Sequence, residues 1–433
     1  MQRSANNQVV ERALIISSDG HASARMDDYR PYLPRSWHAE FDIFCELYRT
    51  EGTRNFERKA VNQKLDPDVA GEWVEQILDQ GRHEGLWDAQ RRFKELDAQG
   101  IAAETLFPDF GLPFELYSPV LARMHGYTRT PQQIDVANTA YNRWLVDFCS
   151  VAPERLAGLA LVGFDDVDAA LREILWAHQA GLKGIVLPAF DEDVPLFDQR
   201  FDQVWSLLEE LEMPIHSHIA ISAVTRRMPP AAAFARTQPK CVNPLLGPQL
   251  FFDCHQLLTH LIWGGVFERH PKLHAVFTEQ GSGWVINALR MMDHSWDDSF
   301  LRRDTHDIVR HRPSEYFERQ CHLGASLFSR AEAQGRHEIG VGRIMIGADY
   351  PHHEGTWGVG PGTVEYLRAT IGATGVPLDE ARAMIGGNAA DLYRLNVAEL
   401  HKIADRIGPS VDEILTPPNE DWYPRGDVKR PLV

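Results

Sequence analysis

The sequence predicts an α/β protein built as a (β/α)8 TIM barrel, and three observations carry that expectation. Eight short, apolar, β-rich runs recur along the 433 residues. Helical segments separate them, which implies parallel strands joined by right-handed crossovers. Residues suited to metal chemistry stand where several of these runs end, the face on which such barrels carry their sites.

The strands are expected at Leu14–Ser18, Ala103–Phe107, Leu156–Val162, Gly184–Pro188, Pro214–His218, Leu273–Glu279, Arg319–Leu323 and Arg343–Asp349. Between the third and fourth, Asp165 and Asp166 offer N-caps and Gly181 sits where a C-cap belongs. Ala169, Leu171, Ile174 and Leu175 repeat on the face expected to be buried. Phe201 to Leu211 repeats the pattern before the fifth strand, with Val204, Leu207, Leu208 and Leu211 expected inside.

Spacing between strands is uneven. About 85 residues separate the first two strands and about 55 separate the fifth and sixth. Such excess length sits in the loops on the catalytic face. The first insertion, about residues 22–100, carries Tyr29, Tyr32, Trp37, Phe41, Phe44 and Tyr48, which either wall a pocket or pack the insertion against the barrel. Residues 1–407 read as one barrel domain. From Gly408 to residue 433 the prolines at 409, 417, 418, 424 and 431 forbid a continuous helix, so a disordered tail or an arm across a neighbouring subunit is expected.

Composition narrows the classes. Apolar residues make up 44% and charged residues 24%, ordinary globular usage that excludes collagen-like, coiled-coil and disordered chains. Lys plus Arg number 44 against 61 Asp plus Glu, a net charge of −17 that argues against nucleic acid as a partner. No run of 18 apolar residues occurs, and the opening MQRSANN lacks the core of a secretion signal. The five cysteines contain no C-x-x-C, which fits a reducing compartment. A cytoplasmic protein without membrane contact is expected.

The chemistry concentrates at three strand ends. The first strand ends Asp19-Gly20-His21, and residues i and i+2 point to one side, so both side chains can aim into the barrel mouth. Gly20 leaves room there for something bound. The fifth strand ends His216-Ser217-His218, and the eighth ends at Asp349, before Tyr350-Pro351-His352-His353-Glu354. Imidazoles and carboxylates together suit a Zn²⁺- or Mn²⁺-type ion. Unpaired buried carboxylates are costly, so Asp19 and Asp349 need a cation or strong donors.

With these stretches the chain resembles the amidohydrolase superfamily, in particular the amidohydrolase-related branch that includes aminocarboxymuconate-semialdehyde decarboxylase and related aromatic-acid decarboxylases. Further stretches that carry the resemblance are Gly264 to Leu273, Glu279-Gln280-Gly281-Ser282-Gly283-Trp284 and Gly387-Asn388-Ala389-Ala390. It implies Asp19, His21, His218 and Asp349 as metal ligands. Asp349 would also hold the attacking water or orient the substrate. His216 would stand behind His218 or in the pocket. Where many members place a catalytic histidine, this chain has Glu279, open to three roles: general base, further ligand, or partner of a histidine.

The resemblance implies that a second ion would need a bridging carboxylated lysine or a glutamate at the end of the fourth strand, whereas Lys183 lies at its beginning. One divalent ion is therefore expected, zinc first with manganese or iron as alternatives. A second ion, helped by Glu279 or His352, is the lesser expectation. Arg226, Arg227 and His255 could meet an acidic substrate group or lie in a solvated loop; His352 and Trp284 are further pocket candidates. The leading expectation is hydrolysis of a small carbonyl compound by activated water. Decarboxylation or other C–C cleavage of a small carboxylic acid is the alternative, and an Fe- or Mn-dependent oxygenase uses the same ligands. A homodimer or larger assembly is expected, a hetero-oligomer with a related subunit being open.

Overall fold

Eight parallel strands pair in chain order: β1 (Ile15–Ser17), β2 (Ile101–Leu106), β3 (Leu156–Leu161), β4 (Gly184–Val186), β5 (Ile215–His218), β6 (Ala275–Thr278), β7 (Cys321–Ser326) and β8 (Ile344–Gly347). The first and last meet. Ser18 N–H donates to the Ile346 carbonyl at 2.8 Å and Asp349 N–H to the Asp19 carbonyl at 3.0 Å, closing the sheet into the (β/α)8 barrel. The computed structural model describes residues 11–52, 56–117, 122, 125–191, 193–219, 221, 224–225, 242–298, 302–420 and 423.

Helices cross between the strands. The one expected after β3 runs Val167–Gln179, with the Asp166 carboxylate accepting from the Ala169 N–H at 3.0 Å. Its buried stripe is Ala170, Ile174 and Ala177, whereas Leu175 is exposed. The inward face is thus rotated from the expected one, because small alanines and not the leucine fit against the sheet. Before β5, Asp202–Glu210 buries Val204, Trp205 and Leu208. The seventh strand starts two residues later than expected, since helix Pro313–Gln320 runs directly into it, and it extends to Ser326.

Ile16, Ala103, Val276 and Met345 pack with Ala389, Ala390, Tyr393 and Leu400, residues of two helices that follow β8 (Asn388–Tyr393 and Val397–Ile407). The barrel is a filled core, not a pore. The insertion after β1 packs on the outside through its aromatics. Phe41 and Phe44 meet Phe114 at 5.6 and 5.5 Å between ring centroids, and Tyr29 meets Trp144 at 6.0 Å. Of the two roles open to them, these rings take the packing one.

The last helix of the insertion, Ala89–Ala98, carries Arg92, which forms a fully buried ion pair with Glu104 of β2. Arg92 Nη1 also donates to the carbonyls of His21 at 2.7 Å and Gly85 at 2.9 Å. A Cβ at position 20 would lie 2.6 Å from Glu104 Oε2. The space beside Gly20 therefore holds this carboxylate, not the ligand expected from the sequence.

Residues 408–420 lie along their own chain. Ala13 N–H donates to the Pro409 carbonyl at 2.9 Å and Val411 N–H to Glu11 at 3.1 Å, before a short helix Val411–Leu415. No helix among the described residues is long and apolar enough to cross a membrane.

Candidate metal centre

At the C-terminal ends of β1, β5 and β6 four groups converge, with Asp349 after β8 beside them. Asp19, His21, His218 and Glu279 each offer one ligand atom, all within 4.8 Å of one another. His218 Nε2 lies 3.4 Å from Asp19 Oδ1 and 3.5 Å from Glu279 Oε2. Asp349 Oδ1 lies 3.3 Å from His21 Nε2. Glu279 thus stands beside the expected ligands.

Backbone contacts aim both imidazoles. His21 Nδ1 lies 2.9 Å from the Pro108 carbonyl and His218 Nδ1 lies 2.9 Å from the Ile219 carbonyl. A carbonyl only accepts, so each Nδ1 carries the proton and each Nε2 presents its lone pair. Those Nε2 atoms, Asp19 Oδ1 and both Asp349 oxygens are sealed from solvent and make no hydrogen bond. Orphaned acceptors at this density are expensive unless a cation fills the space between them. The donor set fits a divalent ion.

Local structure holds the carboxylates. Ser326 Oγ donates to Asp19 Oδ2. Ser17 Oγ donates to the Asp19 carbonyl at 2.6 Å and accepts from the Ala348 N–H at 2.9 Å, stapling the two strand ends together. Glu279 and Asp349 both take left-handed backbone angles, φ 58° and 57°, which turn the chain sharply at the strand end. Non-glycine residues adopt that region at a cost, a feature concentrated at functional sites.

Burial has different outcomes at the Glu279 and Asp19 carboxyls. Burial, reinforced by Asp349, Asp19 and Glu354, pushes the Glu279 carboxyl well above the usual range. Burial also opposes ionisation of Asp19, but His218, His21 and Ser326 outweigh it and hold that carboxyl low.

His352 stacks on His21 with ring centroids 4.0 Å apart. Its Nε2 lies 3.2 Å from Asp109 Oδ1 and its Nδ1 lies 3.1 Å from Asp349 Oδ1. Asp109, three residues past the end of β2, also lines a cavity of about 400 Å³ with Pro108, Phe110, Phe164, Leu187 and Arg129. It thereby joins the cavity to the cluster. Arg129 Nη1 is sealed and makes no hydrogen bond.

Other expected pocket residues sit elsewhere. His216 is fully buried, with Nδ1 3.0 Å from the Ile185 carbonyl and Nε2 3.0 Å from the Tyr393 hydroxyl. Burial brings it down to about 3, so it is a neutral core imidazole, one layer below His218 and off the pocket wall. His255 and Trp284 stack on each other at 4.6 Å, and neither lines the cavity. Arg226 and Arg227 lie outside the described residues.

The sequence reading missed Asp109 and Ser326. Asp109 bears the same signal as Asp19 and Asp349, a carboxylate just past a strand; Ser326 lies three residues beyond Leu323, where the seventh strand is expected to end.

A family model described as amidohydrolase matches residues 76–395. Gamma-resorcylate decarboxylase of Rhizobium sp. (strain MTP-10005) is 24% identical over 299 residues, covering 65% of this chain and 84% of that protein. The gamma-resorcylate decarboxylase of Rhodococcus jostii (strain RHA1) is 25% identical over 329 residues, covering 72% and 91%. Among solved structures, an amidohydrolase from Mycobacterium avium subsp. paratuberculosis K-10 superposes with a TM-score of 0.61 at 19% identity, covering 90% of this chain and 100% of that one. A dihydroxybenzoic acid decarboxylase from Polaromonas sp. JS666, with bound manganese, gives 0.58 at 18% identity, covering 90% and 99%. At such identities the structural likeness is one of fold.

Proposed function

From the premise that this chain belongs to the amidohydrolase family, we propose that it is a metal-dependent decarboxylase of small hydroxylated aromatic acids. The observation that carries the reading is the set of sealed, unbonded acceptors on His21, His218, Asp19 and Asp349. The curated relatives reported above are decarboxylases, which favours loss of CO₂ over the hydrolysis expected first, and none is an oxygenase. Manganese, bound in the Polaromonas structure, replaces zinc as the first choice for a site with this share of carboxylates.

Asp19, His21, His218 and Asp349 would hold the ion, with Glu279 beside them. When bound, the ion supplies positive charge that anchors a substrate carboxylate next to a hydroxyl. Phe107, whose ring lies 4.6 Å from that of His218, keeps water from that side of the cluster. Asp349 would take up a proton from water and pass it to the ring carbon, so that the C–C bond breaks, CO₂ leaves, and a C–H bond forms in its place. Arg129, which pairs with Glu115 at 3.7 Å, and Arg200 line the cavity and would face an acidic substituent.

The test is incubation of manganese-loaded protein in D₂O with 2,6-dihydroxybenzoate and a panel of hydroxybenzoates, amides and lactones. The expected result is CO₂ release with one deuterium at the vacated carbon. Turnover of amides or lactones alone would overturn the reading.

A further inference from the structure

The cavity beside the cluster, about 400 Å³ in volume, is lined by none of Asp19, His21, His218, Glu279 and Asp349. It nonetheless adjoins them. Pro108 and Asp109 line it, and the Pro108 carbonyl lies 2.9 Å from His21 Nδ1. The His352 ring stands between Asp109 and Asp349, with Nε2 3.2 Å from Asp109 Oδ1 and Nδ1 3.1 Å from Asp349 Oδ1.

We propose that this cavity takes a second part of the substrate, an apolar arm ending in a carboxylate that meets Arg129. The inference rests on the decarboxylase reading above and narrows it to aromatic acids extended by such an arm, which stays intact as CO₂ leaves the ring.

Three observations carry it. The first is size. Pockets of about 300–1,000 Å³ enclose drug-sized ligands, more than one hydroxylated ring needs. A ring whose carboxylate meets the ion therefore leaves part of this volume over.

The second is the wall. Leu161 at the end of β3 and Leu187 just past β4 line the cavity with Phe164, Leu196 and Phe201, and all five are buried. An aryl or alkyl group that covers such a surface removes it from water, which is favourable. Two of the charged groups on the wall are already tied elsewhere: Asp109 to His352, and Arg200 to Asp198 at 3.0 Å.

The third is an unmet donor. Glu115 Oε1 lies 3.7 Å from Arg129 Nη2, too long for a hydrogen bond. The other oxygen of Glu115 accepts from the Gly111 N–H at 2.9 Å and the Leu112 N–H at 3.2 Å. Glu115 thus places the guanidinium without saturating it. Among the described side chains that line the cavity, Arg129 Nη1 is the sealed polar atom that makes no hydrogen bond. A buried donor without an acceptor is costly, and a carboxylate is a strong acceptor for a guanidinium.

The first experiment is isothermal titration of the metal-free full chain with biphenyl-4-carboxylate, an arm without the reacting head. Binding is expected in wild type, and Arg129→Gln should weaken it roughly 10-fold, as loss of one hydrogen bond to a charged group does. No binding in wild type overturns the proposal. Because Arg129→Gln can disturb the Glu115 loop, Val194→Trp fills the cavity from another wall with Arg129 in place. Undiminished binding in either variant overturns the proposal.

The second experiment is CO₂ release by manganese-loaded protein from 2,6-dihydroxybenzoate and from the same acid carrying a 4-carboxyphenyl group at ring position 4. The extended acid should have the higher kcat/KM, by roughly 10-fold or more. Equal values, or a preference for the one-ring acid, overturn the arm and leave the decarboxylase reading intact. Binding of the arm with CO₂ released from neither acid overturns that reading and leaves the cavity as the arm's site.

Discussion

The carbonyl oxygen of Pro108 lies 2.9 Å from Nδ1 of His21, and that contact decides which nitrogen of the imidazole faces Asp19 and Asp349. His218 is fixed the same way by the Ile219 carbonyl. Because these anchors are backbone atoms, the rings are aimed before any ion arrives. Replacing His218 by Ala should remove the aimed lone pair without touching the barrel. Manganese affinity is expected to fall at least 100-fold, more than the 10- to 100-fold typical of supporting residues. The circular dichroism spectrum should be retained, and full manganese occupancy in the variant would contradict the ligand assignment.

Ser326 gives a finer test. Its hydroxyl donates to Asp19 Oδ2, leaving Oδ1 bare toward His218. Ser326→Ala frees that carboxylate to rotate. Manganese affinity should drop roughly 10- to 100-fold with the ligand atoms all present. Isothermal titration of the metal-free variant reads the change, and an unaltered dissociation constant would show that Asp19 needs no such restraint.

Under β1 the Arg92–Glu104 pair is sealed, and Arg92 also ties the insertion to the carbonyl of His21. Removing one partner strands a buried charge. Arg92→Met should therefore cost about 3–5 kcal/mol, whereas Arg92→Met/Glu104→Gln should recover much of that loss. Urea denaturation of both variants measures it. Equal losses in the single and double variants would mean that Arg92 acts through the two carbonyls and not through the ion pair.

These residues show what the sequence alone made legible. Asp19, His21, His218 and Asp349 could be found because the strand period of two places alternate residues on one face and apolar runs mark where strands end. Position relative to a strand end made them candidates, and the choice of His218 over His216 came from the resemblance to the family. Arg92 and Glu104 carried no such mark: a buried arginine in a helix reads like an exposed one until its partner is seen across the fold. His216 shows the opposite failure. It shares the side of β5 with His218, but depth along the barrel axis is invisible in a pattern of alternation, and depth makes it a core residue. The rotated stripe of Val167–Gln179 has the same origin, since small alanines carry little hydrophobic signal and yet fit closest to the sheet.

Histidine burial also predicts a pH response away from the cluster. His322 on β7 is buried, and desolvation, with Arg343, His274 and His216 adding repulsion, brings its imidazole down to about 3. Above the ordinary histidine value of about 6.5 both folded and unfolded chains hold it neutral, and it contributes no pH dependence. As pH falls below that value the unfolded chain takes up a proton that the folded one refuses. Stability is then lost progressively down to about pH 3. Between pH 7 and about pH 4.5 the loss from this one side chain is ~2–3 kcal/mol, at about 1.4 kcal/mol per pH unit. His322→Leu, which keeps the site apolar and removes the titration, should flatten the acid limb by that amount in urea denaturation of metal-free protein at the two pH values. If the variant and wild type lose stability in parallel, His322 is not the group that senses acid.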